Sequence, residues 1–140
     1  MTATPSAMLA AGRSGIYMAP ETTTQLQCTA RQGGLVWFDL DLGPVEDKAD
    51  LLAVCRKGFG FPEQFGANWD ALADCLQDFS WWRAPGYVIH LIHTASFAQT
   101  APQDFSLLLE ILDDAAKYWK KQGRTFVVLV DDSPGRLPLF

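Results

Sequence analysis

The sequence predicts an α/β protein built on a small parallel sheet, of three strands or four, packed with helices. Three observations carry that expectation. Apolar runs rich in β-branched and aromatic residues recur at Leu35–Leu40, Tyr87–Ile92 and Thr125–Val130. Between them lie segments whose apolar residues recur at helical spacing, as in helices with one buried face. Strands separated by helices pair in parallel, because parallel neighbours need a crossover long enough to hold a helix.

Taken in order, Met1–Gly15 is rich in Ala, Ser and Thr without periodicity, so its start is expected to fray. Ser14–Met18 is expected as a short strand, the optional fourth. Pro20 and Glu21 read as a helix opening, with the helix running through Leu26 and Arg31 to a Gly33-Gly34 stop. Leu35–Leu40 reads as a buried strand closed by Gly43-Pro44. From Glu46 onward Leu51, Leu52, Cys55 and Phe59 form a helical stripe, which Gly58 and Gly60 are expected to end.

A loop with Pro62 and Gly66 then runs into Asn68, whose side chain can accept a bond from the free amides of a helix starting at Trp69. In that helix Trp69, Leu72, Leu76 and Phe79 would point inward, while Asp70, Ala73, Asp74 and Gln77 share the opposite face. A linker with Trp81 and Trp82 leads to the strand Tyr87–Ile92, and a short helical turn is expected near Ser96–Thr100. Pro102 opens the longest helix, with Phe105, Leu108, Leu109, Leu112, Ala115, Ala116 and Trp119 as its stripe and Gly123 as its stop. Its acids Glu110, Asp113 and Asp114 precede its bases Lys117, Lys120 and Lys121, as the helix dipole favours. Thr125–Val130 is the last strand, before a tail with two prolines and a glycine. The 140 residues are expected to form one domain: an N-terminal extension over 1–34, a core over 35–131 and an irregular tail over 132–140.

A hydrophobic fraction of 49% and five tryptophans argue against disorder, since ample apolar surface offsets the entropy of folding. No apolar run approaches the roughly 20 residues that span a bilayer. Met1–Gly15 has neither the basic start nor the apolar stretch of a secretory signal, so the protein is expected to stay in the cytoplasm, away from membranes. A net charge of -5 and a pI near 4.8 argue against direct nucleic-acid binding, which needs clustered Lys and Arg, and would steer a basic partner inward. Cys28, Cys55 and Cys75 cannot all pair within one chain, and two of them fall on helix faces expected to be buried, so reduced core thiols are expected.

Asp70 and Asp74, at i and i+4, place two carboxylates side by side, where they repel. The positive end of the helix offsets part of that cost. On spacing alone an ordinary solvated face is the favoured reading. His90 and His93 would fall on opposite faces of an extended strand, with no third ligand and no zinc spacing, so no metal is expected. Cys75 is expected on the core side of its helix, and no residue pattern identifies a base to activate it. No glycine loop suited to phosphate appears, and no cofactor is expected.

The run Phe61-Pro62-Glu63-Gln64-Phe65-Gly66-Ala67-Asn68-Trp69-Asp70-Ala71-Leu72-Ala73-Asp74-Cys75-Leu76 resembles the central motif of the barstar family, intracellular protein inhibitors of secreted microbial ribonucleases such as barnase. The order of elements fits from about Leu35 to Asp131. The resemblance implies a small three-stranded parallel sheet packed with helices, here extended at the N-terminus, and a basic ribonuclease as partner. It implies that Asp74 enters the nuclease active site in place of RNA phosphate, with Asp70 supporting it at the rim. It also implies that Asn68 caps the helix and touches the partner, and that Gln64, Phe65, Ala73 and Gln77 occupy contact positions. Gln64, Ala73 and Gln77 replace an aromatic, a tryptophan and a threonine of the best-known inhibitor, which points away from barnase itself. Phe79, Trp81 and Trp82 are alternatives for the aromatic that follows the helix. Two other readings stand beside this one: an adaptor of barstar type with a non-nuclease partner, and a hydrolase using Asp70 and Asp74 with a histidine. The hydrolase predicts a pocket between those groups, and the inhibitor a convex exposed face.

Overall fold

Continuous apolar runs are stable only where both faces of a sheet are covered, and the two purest runs lie at its centre. The computed structural model describes residues 4–62, 65–131 and 137–140. Among these, four strands, β1 (Gly15–Met18), β2 (Val36–Asp41), β3 (Gly86–Ile92) and β4 (Thr125–Val130), form one all-parallel sheet in the order β1-β4-β3-β2. Phe38, Ile89 and Val128 stand level across β2, β3 and β4. Six helices accompany them: α1 (Pro5–Ala10), α2 (Thr24–Gln32), α3 (Lys48–Phe59), α4 (Trp69–Leu76), α5 (Ala95–Thr100) and α6 (Pro102–Lys121).

The strand order accounts for which helices cover which face. The chain crosses from β1 at one edge to β2 at the other through α2, then steps back through β3 to β4. Right-handed crossovers taken in opposite directions put their helices on opposite faces. One face carries the larger core, where residues of α3, α4, α5 and α6 meet Phe38, Tyr87, Ile89, Phe126 and Val128. The other carries Leu9, Leu26 and Ala30 against Val88, Val127 and Leu129.

Several expectations are corrected. The start of the chain, expected to fray, lies outside the described residues at 1–3, but the segment after it, which showed no periodicity, is helical over α1, where Thr4 Oγ1 accepts a 3.1 Å bond from the Ala7 amide and Pro5 opens the first turn. A six-residue helix anchored by one buried residue, Leu9, has no periodicity to detect. Helix α2 starts at Thr24 rather than Pro20, because the Ala19 amide still donates to the Val130 carbonyl as an extension of β1. Gly58 lies inside α3 rather than ending it: a Cβ there would run into Cδ2 of the buried Leu40, so the helix approaches β2 closely at this point. Gly60, at φ 65°, is the left-handed cap. On α6 Ile111 is buried where Leu109 was expected, and Leu109 is half-buried. The end of the tail packs on the sheet without forming a helix or strand. Leu139 bridges Met18, and Phe140 is buried on the second face beside Tyr17, ring centroids 5.2 Å apart.

Candidate functional site

Helix α4 is held from inside. Leu72 and Leu76 are fully buried, and the indole Nε1 of Trp119 on α6 donates 2.8 Å to the Leu76 carbonyl, satisfying an orphan group of the last turn. At the other end Asn68 Oδ1 accepts 2.7 Å from the Ala71 amide while its Nδ2 faces the Gly66 carbonyl at 3.4 Å. Asn68 is therefore a helix cap in the structure. Lys48 lies over the Trp69 ring, 5.6 Å from its centroid.

The outward face carries Asp70 and Asp74, both exposed, with Ala73 and Gln77 half-buried beside them. Asp78, which the spacing analysis did not single out, continues the i, i+4 row just past the helix and is also exposed. Its signal was present: the same step of four that links Asp70 to Asp74 links Asp74 to Asp78. Cys75 feels the row, since burial, then Asp78, then Asp74 hold its thiol above the usual range. Cys75, expected on the core side of its helix, is half-buried, and Cys28 is exposed. Cys55 is fully buried, and desolvation pushes its thiol up to about 12.

Among the other expected contact residues, Gln64 lies outside the described residues. Phe65 is 8% exposed and packs on Phe61, ring centroids 4.8 Å apart, so it offers a partner an edge rather than a free ring. Phe79 sits beyond the helix at φ 45°, an uncommon backbone for a bulky residue, and is fully buried, 4.4 Å from the Tyr87 ring. Trp81 is half-buried and donates Nε1–H to the Phe59 carbonyl at 3.2 Å. Trp82 is 44% exposed, which makes it the accessible one of the three aromatics.

The histidines belong to the carboxyl end of the sheet. His90 Nε2–H donates 2.8 Å to Asp131 Oδ1, and its Nδ1 lies 3.4 Å from Asp39 Oδ1, so one buried ring links the ends of β2, β3 and β4. Thr94 Oγ1 donates to the Asp131 carbonyl. His93 Nδ1 lies 3.0 Å from Asp41 Oδ1, and the Gly43 amide together with His93 holds Asp41 below the usual carboxylate range. Both histidines thus face carboxylates of the sheet end rather than Asp70 or Asp74. Among the described residues, no group of three or more His, Cys, Asp or Glu side chains is arranged to hold a metal, and no helix is long and apolar enough to cross a membrane.

A family model described as Barstar (barnase inhibitor) matches residues 36–131. No curated protein matches the chain. Among solved structures it is similar to the Aeropyrum pernix ORC2 protein, determined as ADPNP-ADP complexes, at a TM-score of 0.57 and 18% identity. The match covers 89% of this chain and 36% of that one, so this chain spans little more than a third of that protein's length. At that identity the likeness is one of fold.

Proposed function

The chain belongs to the barstar family, and from that premise we propose that it is an intracellular inhibitor of a secreted, basic ribonuclease of the barnase type. The observation that carries this reading is the exposed carboxylate pair Asp70 and Asp74 on a helix fixed at both ends and backed by a buried face. Asp74 enters the nuclease cleft and pairs with the cationic groups that otherwise hold RNA phosphate; Asp70 reinforces the field at the rim. A carboxylate held rigidly among such groups, with water excluded, forms charge-assisted bonds at little cost in reorganisation. Asn68 and the edge of Phe65 flank it, Ala73 and Gln77 complete the helix face, and Trp82 supplies an accessible aromatic after the helix. Ala73 in place of a tryptophan, together with Gln77 in place of a threonine, supports a cognate nuclease other than barnase, because interface energy concentrates in a few large anchors and this helix face lacks one.

The test is inhibition of RNA cleavage across a panel of small microbial ribonucleases at low and moderate salt. Stoichiometric inhibition that weakens with salt is expected. No inhibition of any member would overturn the reading in favour of an adaptor with a partner of another kind.

A further inference from the structure

A second site lies beside the motif loop and shares Phe65 with the proposed nuclease contacts, though its occupant does not depend on the nuclease reading. Ala49, Leu52, Ala53, Arg56 and Lys57 follow one another at i, i+3, i+4, i+7 and i+8 along a single face of α3. With Phe61 and Phe65 they line a cleft of about 500 Å³. Cavities of roughly 300–1,000 Å³ with mostly apolar walls and a few placed polar groups are the usual form of small-molecule sites. The alanines leave the space open where larger side chains would close it. Arg56 and Lys57 are exposed at the cleft, and among the described residues neither side chain has an ion-pair or hydrogen-bond partner. Their position in the last turn of α3 suits the helix dipole. It does not require both to stand over an apolar hollow, on a chain whose net charge is -5.

We propose that this cleft binds a small amphipathic anion, its apolar body against Leu52, Phe61 and Phe65 and its carboxylate between Arg56 and Lys57. Charge complementarity selects the occupant. A neutral apolar molecule leaves the cations unused, and a cationic one meets them as like charges. Arg56 offers the carboxylate a paired set of N–H donors, Lys57 a point charge.

Octanoate is the probe, titrated into the full chain and followed by amide shifts in ¹H–¹⁵N spectra, with octan-1-ol and octylammonium as comparisons. The expected result is saturable one-to-one binding of octanoate with shifts centred on Ala53, Gly60, Phe61 and Ala67, and affinity for octan-1-ol lower by about tenfold. R56Q combined with K57Q should weaken octanoate by about tenfold and leave octan-1-ol unchanged. Ala53→Phe, at an exposed helix position, should fill the cleft and abolish binding of both; Ala49→Phe serves the same purpose, and thermal melts check that each variant is folded. Equal affinity for octanoate and octan-1-ol, an unchanged octanoate affinity in folded Ala53→Phe and Ala49→Phe, or shifts centred elsewhere would overturn the proposal.

Discussion

At the scale of single residues, Asp74 and the cysteines make separable predictions. Asp74 is exposed, and among the described residues its side chain has no hydrogen-bond or ion-pair partner, so Asp74→Ala should leave the unfolding free energy in urea within about 0.5 kcal/mol of the parent. It should weaken binding to the cognate nuclease by about 2–5 kcal/mol, a range drawn in part from this family's own complexes. An unchanged inhibition constant would show that α4 is not the binding face. Cys55 carries a pH dependence: its folded value of about 12 lies above the ordinary 9.0, so between the two the folded chain holds a proton that the unfolded chain has lost. Its contribution is complete below about 9 and is lost as pH rises through about 12. Urea midpoints should therefore fall on the alkaline side, and fall less steeply in Cys55→Ala. Native alkylation followed by mass spectrometry should label the exposed Cys28 first and Cys55 only on unfolding.

At the scale of the element, α4 and α3 show how packing sets what a helix presents. Leu72→Ala removes a fully buried side chain behind the carboxylate row and should cost ~2–5 kcal/mol. A normal melting temperature in that variant would contradict the packing described for α4. Gly58→Ala tests α3 in the opposite sense. Helix propensity alone favours alanine over glycine by about 1 kcal/mol. Because the new Cβ meets Leu40 in a filled core, the substitution should instead destabilise, read as a lowered urea midpoint.

At the scale of the whole molecule, the segment matched to the family supplies β2, β3 and β4 with the helices of one face. The residues before it add β1 to the β4 edge and bring α1 and α2 over the second face, whose apolar side chains Val88, Val127 and Leu129 would otherwise be uncovered. The chain's last residue joins that cover. The Phe140 amide donates to the Met18 carbonyl at 3.1 Å, and Arg13 lies over the rings of both Tyr17 and Phe140. Phe140→Ala should cost ~3–5 kcal/mol by chemical denaturation, the loss for a buried aromatic rather than for a surface tail. A loss below about 0.5 kcal/mol would mean that the second face is stable without it.

The central strands and α6 were legible in the sequence because burial on both faces writes a continuous apolar run, and burial on one face writes a helical stripe. The same logic placed Asp70 and Asp74 together and outward, since a step of four depends on helix geometry alone. Asn68 as a cap was legible for the same local reason. What only the tertiary structure decided are matters of contact between distant parts. Gly58 is required by Leu40 on β2, Phe65 is covered by Phe61, and Ile111 is buried in the core while Leu109 packs at its margin. Phe140 docks on β1, and His90 draws Asp39 and Asp131 to itself. Local spacing fixes which residues share a face of one element; which face meets which neighbour, and where a hollow is left between them, depends on how separate elements pack.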